Sequence, residues 1–276
     1  DAILNTGGVA TVTVSGVATA EQGADIDAFS KDVAFDVVDD AQDVIDEMTA
    51  HDEIASAQTI TVSGVANAAQ GVAINEFTKD VAFDVVDDAQ DVIDEMTAHD
   101  EIASAQTITV SGVANAAQGV AINEFTKDVA FDVDSSADAL ATAIDGDSAL
   151  LDEAGSVTVT GGTVDVADAA AIQGISGYVD STASSYDIVD SASAIVGATD
   201  AILNTGGVAT VTVSGVANAA QGADIDAFVK DVTYNVVDDA NDIAAELSGS
   251  NDQLDEAVSV TVTGGTVDVA DAAAIQ

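Results

Sequence analysis

The segment Lys31–Thr78 reads KDVAFDVVDDAQDVIDEMTAHDEIASAQTITVSGVANAAQGVAINEFT and returns without a change at Lys79–Thr126. The identity continues to Val85 in the first copy and to Val133 in the second. An unchanged repeat of 48 residues is typical of an array in which each repeat contacts mainly its neighbours. The repeat therefore predicts an elongated, modular architecture.

Two further pairs of identical segments, separated by longer intervals, extend the array over the whole sequence. Asp1–Ala18 is identical to Asp200–Ala217, and Ser156–Gln173 is identical to Ser259–Gln276. These relations predict one continuous segment, 1–276, of a longer array. It consists of a unit 1–199, with 48-residue repeats at 31–78 and 79–126, and a partial unit 200–276.

Each 48-residue repeat contains two half-units that begin with a strand pattern. Thr59–Val62 and Val81–Val85 alternate in polarity and are rich in β-branched or aromatic residues, which favours half-buried strands. A helix is predicted after each strand. In one half-unit Asp87 or Asp88 is the predicted N-cap, and the apolar stripe consists of Ala89, Val92, Ile93 and Met96. In the other, Asn67 is the predicted N-cap, and Val72, Ala73 and Phe77 form the inner face.

The central apolar residues of the predicted strands recur every 23–29 residues or so: Val12, Phe35, Ile60, Phe83, Ile108, Phe131, Val157, Tyr186, Val211, Tyr234 and Val260. Strands that alternate with helices imply parallel pairing through right-handed crossovers. The predicted fold is therefore an α/β, right-handed repetitive solenoid with its parallel sheet on one side. A right-handed β-helix, whose coils are of similar length, is the alternative.

The composition excludes several classes of function. The 276 residues include 50 Asp and Glu against 4 Lys and no Arg, a formal net charge of −46, and no Cys, Pro or Trp. Four cations cannot neutralise a phosphate backbone, so no nucleic acid is expected as a partner. The absence of cysteine removes disulfides and thiolate chemistry. No signal peptide is recognised, and the uncharged stretch 201–223 is too polar to predict a membrane span.

The candidate catalytic groups favour structural roles. His51 and His99 are predicted about 10 Å apart, too far for one metal ion, and are interpreted as exposed residues at helix ends. The paired carboxylates Asp39/Asp40, Asp87/Asp88 and Asp238/Asp239 are interpreted as helix caps. The lysines Lys31, Lys79, Lys127 and Lys230 share one repeat position, which suggests a structural partner in a neighbouring carboxylate. No catalytic residue is predicted.

The outward face of the strands carries the candidate metal ligands. Threonine pairs such as Thr59/Thr61 alternate from coil to coil with Asp36, Asp84 and Asp132. Carboxylates in such a row repel one another, and divalent ions with hard oxygen ligands relieve that repulsion. Calcium at Asp36, Asp84 and Asp132 is the prediction, although no cofactor is required; a merely solvated acidic surface is the competing interpretation.

Short motifs in this Asp-, Ala-, Thr- and Val-rich context carry a resemblance. The TVTVSG, DIDAF and YDIVDSASAI segments resemble the repeat regions of giant bacterial surface proteins, namely hemolysin-type adhesins and the very large cell-surface proteins of swimming marine cyanobacteria. The resemblance implies a secreted, repetitive and often calcium-linked protein. The segments Gly161–Asp165 and Gly206–Val208 lack the GGxGxD spacing, so a calcium-roll structure is not implied.

The predicted function is that of an extracellular or cell-surface structural or adhesive repeat protein, which forms a spacer, fibre or surface layer. Its predicted partners are copies of itself or neighbouring repeats, and surface glycans. The alternative is a binding module whose acidic face recognises cations or glycans. An enzyme is not expected.

Overall fold

The computed structural model describes residues 9–51, 54–99, 101–248 and 253–275. The chain divides into two compact units: Asp1–Ala114 with Ala121–Asp132, and Asn115–Val120 with Val133–Gln276. Both are built from strands that alternate with helices and pair in parallel, so the predicted α/β class is confirmed. The prediction of one continuous segment, 1–276, stays a prediction.

The first unit follows one strand–helix order throughout. Its elements are β1 (Val12–Ala18), α1 (Ala20–Asp27), β2 (Val33–Asp39), α2 (Ala41–Ala50), β3 (Thr59–Val62), α3 (Ala68–Asn75), β4 (Val85–Asp87), α4 (Ala89–Ala98) and β5 (Ile108–Val110). The helix α5 (Ala116–Asn123) belongs in part to each unit. One sheet has the order β1-β2-β3, and β4 pairs with β5.

The second unit continues the strand–helix order and contains two additional short helices. Its elements are β6 (Val133–Ser135), α6 (Ala137–Ile144), a 3-10 helix (Ser148–Leu151), β7 (Val157–Val164), α7 (Val166–Gln173), β8 (Ser185–Asp190), α8 (Ala192–Gly197), α9 (Asp200–Leu203), β9 (Val208–Val213), α10 (Ala219–Asp226), β10 (Val232–Thr233), β11 (Asn235–Asp238), α11 (Ala240–Leu247), β12 (Ser259–Val262) and α12 (Val269–Ile275). The order β10-β9-β8-β7-β6 forms one sheet, and β11 pairs with β12.

The strand markers lie in the core of each unit. Phe35, Ile60, Phe83, Ile108, Phe131, Val157, Tyr186, Val211 and Tyr234 are at most 4% exposed. Phe83, Phe131 and Tyr234 lie just outside the regular strands, where the ladder is interrupted. Val12 is half-buried and Val260 is 40% exposed, so these two markers differ from the others.

The helical stripe pairs with this strand core. Ala89, Val92 and Met96 are buried and Ile93 is half-buried, largely as the spacing predicts. In α3 Val72 is buried as predicted, and Ala68, Gly71 and Ile74 are buried as well. Ala73, and Phe77 just after the helix, were predicted on the inner face and are half-buried. Helices occupy the return segments that a β-helix would fill with further strands, so the β-helix alternative is not supported.

A bulge at a Ser-Gly pair changes the direction of the chain between several strands and the helices that follow them. In the β1–β2 ladder, Thr13 faces Ala34 but Val17 faces Asp36, so the extra residues of β1 are accommodated around Gly16, whose φ is 109°. Gly64, Gly112 and Gly215 also have positive φ. The valine that follows each of these glycines is more than half exposed.

Candidate functional site: the acidic strand-to-helix junctions

The second aspartate of each pair caps its own helix. Asp40 lies in extended backbone at the N-cap of α2, and its Oδ1 accepts a hydrogen bond from the Asp43 amide at 3.0 Å. Asp88 accepts from the Gln90 and Asp91 amides at the start of α4 in the same way. The predicted capping role is confirmed, with Asp88 and not Asp87 at the N-cap. The Asn67 cap of α3 is confirmed as well.

The first aspartate of each pair connects two consecutive coils. Oδ1 of Asp39 accepts the amide of Asp40 at 3.0 Å, whereas its Oδ2 accepts the amide of Ala20 at 2.9 Å. Ala20 is the first residue of α1, the helix of the preceding coil. One carboxylate thus satisfies amides at the N-termini of two stacked helices, where four backbone donors otherwise lack partners.

This inter-coil bridge recurs in both units. The amides of Ala68, Ala219 and Val166 donate to Oδ2 of Asp87, Asp238 and Asp190 at 2.9, 3.0 and 3.1 Å. From the sequence, the paired aspartates were interpreted only as caps, and the bridge was not predicted. The available signal was the constant interval of 19 residues between the helix start and the bridging aspartate in three of the four cases.

A third carboxylate joins each pair from inside the helix. Asp39, Asp40 and Asp43, and likewise Asp87, Asp88 and Asp91, each place one carboxylate oxygen so that all three lie within 4.8 Å of one another. Repulsion from Asp40, followed by desolvation, raises the pKa of Asp43 above its ordinary value of 3.8. Asp88 has the same effect on the pKa of Asp91, and Asp239 on that of Asp242. These three-carboxylate clusters offer the hard oxygen ligands that calcium prefers.

The predicted ligands Asp36 and Asp84 lie on the strand face and not in the three-carboxylate clusters. Oδ1 of Asp36 accepts the Thr59 hydroxyl at 2.6 Å, and Oδ1 of Asp84 accepts the Thr107 hydroxyl at 2.6 Å. Asp36 and Thr59 lie on the adjacent strands β2 and β3, and Asp84 and Thr107 directly precede β4 and β5, so the alternation of Thr and Asp forms hydrogen bonds between neighbouring coils. Thr160 with Asp134 and Thr210 with Asp187 continue it in the second unit.

Asp132 holds the third predicted position. Its carbonyl accepts the Ala114 amide at 2.8 Å. The three predicted ligands occur on alternate coils with a threonine-bearing strand between them, a spacing of about 10 Å. The structure therefore does not bring them together around one ion, and calcium at each of these positions stays a prediction.

The histidines occupy helix C-termini, as predicted. His51 and His99 are the C-cap residues of α2 and α4. Their Nε2 atoms lie 3.3 and 3.5 Å from Oε2 of Glu47 and Glu95, one turn earlier, and the side chains are 53% and 43% exposed. Such exposed pairs contribute little to stability.

The lysine ammonium groups contact backbone carbonyl oxygens, and the predicted carboxylate partner stays a prediction. Nζ of Lys31, Lys127 and Lys230 donates to the carbonyls of Val9, Ala105 and Val208 at 2.8, 2.6 and 2.7 Å, and Nζ of Lys79 donates to that of Ala57 at 2.5 Å. Each carbonyl belongs to the preceding coil, 22 residues earlier. The lysine is therefore a second inter-coil connection.

Side-chain oxygens at helix ends and in a turn make a third connection. Asn75 accepts the amide and hydroxyl of Ser104 at 2.9 and 2.7 Å, and Asp27 accepts the amide of Ser56 at 2.8 Å. Glu101 accepts the hydroxyl of Thr126 and the amides of Thr126 and Lys127 at 3.0 and 3.1 Å. These hydrogen bonds, the Thr126 hydroxyl foremost, lower the pKa of Glu101.

A groove of about 680 Å³ in the first unit is lined by His99, Glu101, Glu124, Phe125 and Lys127, among others. Two of its polar groups make contacts within the unit: Glu101 accepts from the segment that begins at Thr126, and Lys127 donates to the Ala105 carbonyl.

Comparison with known proteins adds no assignment, since no family model, curated protein or solved structure matches the chain. Among the described residues, no helix has the length and apolar character needed to cross a bilayer.

Proposed function

We propose that the chain is a structural or adhesive repeat segment, an α/β solenoid that serves as an extracellular spacer, fibre or surface layer. The observation that carries this proposal is the inter-coil bridge of Asp39, Asp87, Asp190 and Asp238, in which one carboxylate binds the helix starts of two consecutive coils. A site built for one reaction would occur once. A contact that recurs at four places along the chain instead supports stacking.

The other repeated polar residues support the same interpretation. The lysine–carbonyl contacts join a coil to the one before it, and the Thr–Asp contacts join adjacent strands. The repeated lysines and the strand-face aspartates therefore contact residues of a neighbouring coil. We accordingly propose no enzymatic role, and we expect copies of this chain or neighbouring repeats as partners.

The second candidate is an acidic module that binds cations or glycans. The three-carboxylate clusters at Asp39/Asp40/Asp43 and Asp87/Asp88/Asp91 favour the cation, because their oxygens converge at exposed helix starts. Calcium binding and a spacer function are compatible, since ions at the junctions would reduce repulsion within the stack.

Deletion of one 48-residue repeat tests the proposed modularity. Removal of Lys79–Thr126 joins Thr78 to Lys127 and so recreates the junction between Thr78 and Lys79. We expect a folded protein with unchanged circular dichroism per residue, a cooperative thermal transition, and a long dimension in solution scattering that is shorter by about 10 Å, or two strand spacings.

The control deletion removes Lys79–Ala114, which joins the end of α3 to the start of α5 without an intervening strand. This variant should lose the cooperative transition. If the in-phase deletion unfolds as the control does, the repeat is not a structural module and the spacer function loses its support.

A further inference from the structure

One sequence of 18 residues occurs twice in the second unit and has two different environments. Ser156–Gln173 forms β7 and α7, whereas its exact repeat Ser259–Gln276 forms β12 and α12. Any difference between the copies must therefore come from what lies against them.

The first copy is covered and the second is open. Val157 and Val159 are both 0% exposed, whereas their equivalents Val260 and Val262 are 40% and 44% exposed. Ala169 and Ile172 of α7 are buried, whereas no residue of α12 is. The open copy thus presents apolar side chains together with the edge of a strand.

The coil Gly174–Thr199 is what covers the first copy. The Val157 amide donates to the Gly177 carbonyl at 2.8 Å, and the Val179 amide donates to the Val157 carbonyl at 2.9 Å. Further along, β8 pairs with β7 in parallel, with Thr163 opposite Asp187 and Val164 opposite Ile188. Tyr186, Ile188 and Ile195 of this coil are buried.

We infer that the free edge of β12 is a docking site for a strand–helix coil with the sequence of Gly174–Thr199, added in parallel in the register that this coil has against the first copy. There Val157 pairs with Tyr178, and the later residues Thr163 and Val164 pair with β8. Their equivalents are Val260 in β12, and Thr266 and Val267, which follow the end of β12 at Val262. An open parallel edge with apolar flanks is the surface to which a further strand adds. The inference deepens the proposed structural function and rests on it for its biological meaning.

The occupant is a coil of this kind and not the β1 strand of a second copy. The sequence of β1 recurs within Asp200–Ala217, where it forms β9. That strand pairs with β8, and β7 pairs with the other edge of β8. A β1 strand therefore complements a β8-type strand, and the β8-type coil is the one that complements β12.

The experiment extends the chain after Gln276 by a copy of Gly174–Thr199 and compares it with the parent chain. A matched control carries the same extension with Asp at the two positions copied from Tyr186 and Ile188, so that the added coil cannot bury its strand. Hydrogen exchange, resolved at the amides of Val260–Val267, is the principal readout.

Docking predicts that exchange at Val260 slows at least tenfold in the extended chain and not in the control. It also predicts that Val262→Asp, which replaces an exposed side chain in the parent, lowers the unfolding midpoint more in the extended chain than in the parent. Equal exchange in extended chain and control, or equal effects of Val262→Asp in both backgrounds, would overturn the inference. Deletion of Lys79–Thr126 tests the proposed function separately, because it does not alter β12.

Discussion

At the residue scale, the first aspartate of each Asp-Asp pair makes hydrogen bonds to two coils, which neighbouring acidic residues on the surface of the described helices do not. The Asp87 carboxylate accepts two backbone amides that belong to different coils, whereas Asp94 accepts only the side chain of Gln90. The two residues carry the same charge, so a comparison between them separates hydrogen bonding from electrostatics.

Asp87→Ala should lower the free energy of unfolding by about 1–2 kcal/mol, because the Ala68 amide and the start of α4 lose an acceptor. Asp94→Ala removes an equal charge and should change it by less than about 0.5 kcal/mol. Urea unfolding of both variants provides the measurement. Similar losses in the two would mean that the bridge contributes nothing beyond its charge.

The raised pKa values at the junctions predict an unusual pH dependence. Repulsion raises the pKa of Asp43, Asp91 and Asp242 in the folded protein above the ordinary value of 3.8. The folded state therefore binds more protons than the unfolded state in the interval between the two pKa values. These groups add stability as the pH falls from about 7 through their raised pKa, which opposes ordinary acid denaturation.

Between about pH 7 and about pH 4, these three groups should therefore contribute a rise in the urea midpoint as the pH falls. The triple variant Asp43→Asn, Asp91→Asn and Asp242→Asn should be more stable at neutral pH and lose this contribution, so its midpoint and that of the wild type should converge toward acid pH. Glu101, with its lowered pKa, acts in the opposite direction and is unchanged in the triple variant. A constant difference between the two midpoints over this pH range would contradict the prediction.

At the scale of elements, the sequence predicts the order of strands and helices but not their edges. Alternation and the stripe of Ala89, Val92 and Met96 were sufficient to predict parallel strands with helical returns. The inter-coil contacts of Asp39 and Lys31 were not predicted, because they depend on the register between coils, which periodicity within one coil does not define. Only the constant interval of 19 residues between the helix start and the bridging aspartate indicated the first of them. Likewise, β7 continues through Gly161 and Gly162, where its register with β8 shifts.

A helical glycine sets how closely helix and sheet approach. A Cβ atom on Gly71 would lie 2.8 Å from Cγ2 of Val85 and 3.2 Å from Cγ2 of Ile102, although the backbone of Gly71 is ordinary helix. Gly197, the last residue of α8, meets no atom within 4 Å. The two positions therefore differ in packing and not in the need for a left-handed conformation.

Gly71→Ala should destabilise the protein by about 1 kcal/mol, because overpacking of about 1–3 kcal/mol exceeds the gain in helix propensity. Gly197→Ala should be neutral or stabilising by up to about 1 kcal/mol. Thermal unfolding of the two variants gives the comparison. Stabilisation by both substitutions would show that the α3–β4 contact has room for a methyl group.

At the scale of the whole molecule, the net charge of −46 is the dominant electrostatic fact. The ammonium groups of the four lysines donate to backbone carbonyls, and the carboxylates gather at the helix starts. Self-repulsion of this size should destabilise the compact state at low ionic strength. Any added salt should therefore raise the unfolding midpoint by screening, and only a specifically bound cation should do more.

Millimolar calcium should raise the unfolding midpoint more than sodium at equal ionic strength, because an ion bound only by the folded form stabilises it by mass action.

Two variants distinguish the two candidate calcium sites. Asp36→Asn, Asp84→Asn and Asp132→Asn remove the strand-face carboxylates, whereas Asp43→Asn and Asp91→Asn remove the third member of each three-carboxylate cluster. Since the cluster oxygens lie within 4.8 Å of one another and Asp36 and Asp84 already accept threonine hydroxyls, we expect the cluster variant to lose more of the calcium increment. Equal midpoints for wild type in calcium and sodium would mean that the carboxylates form only a solvated coat.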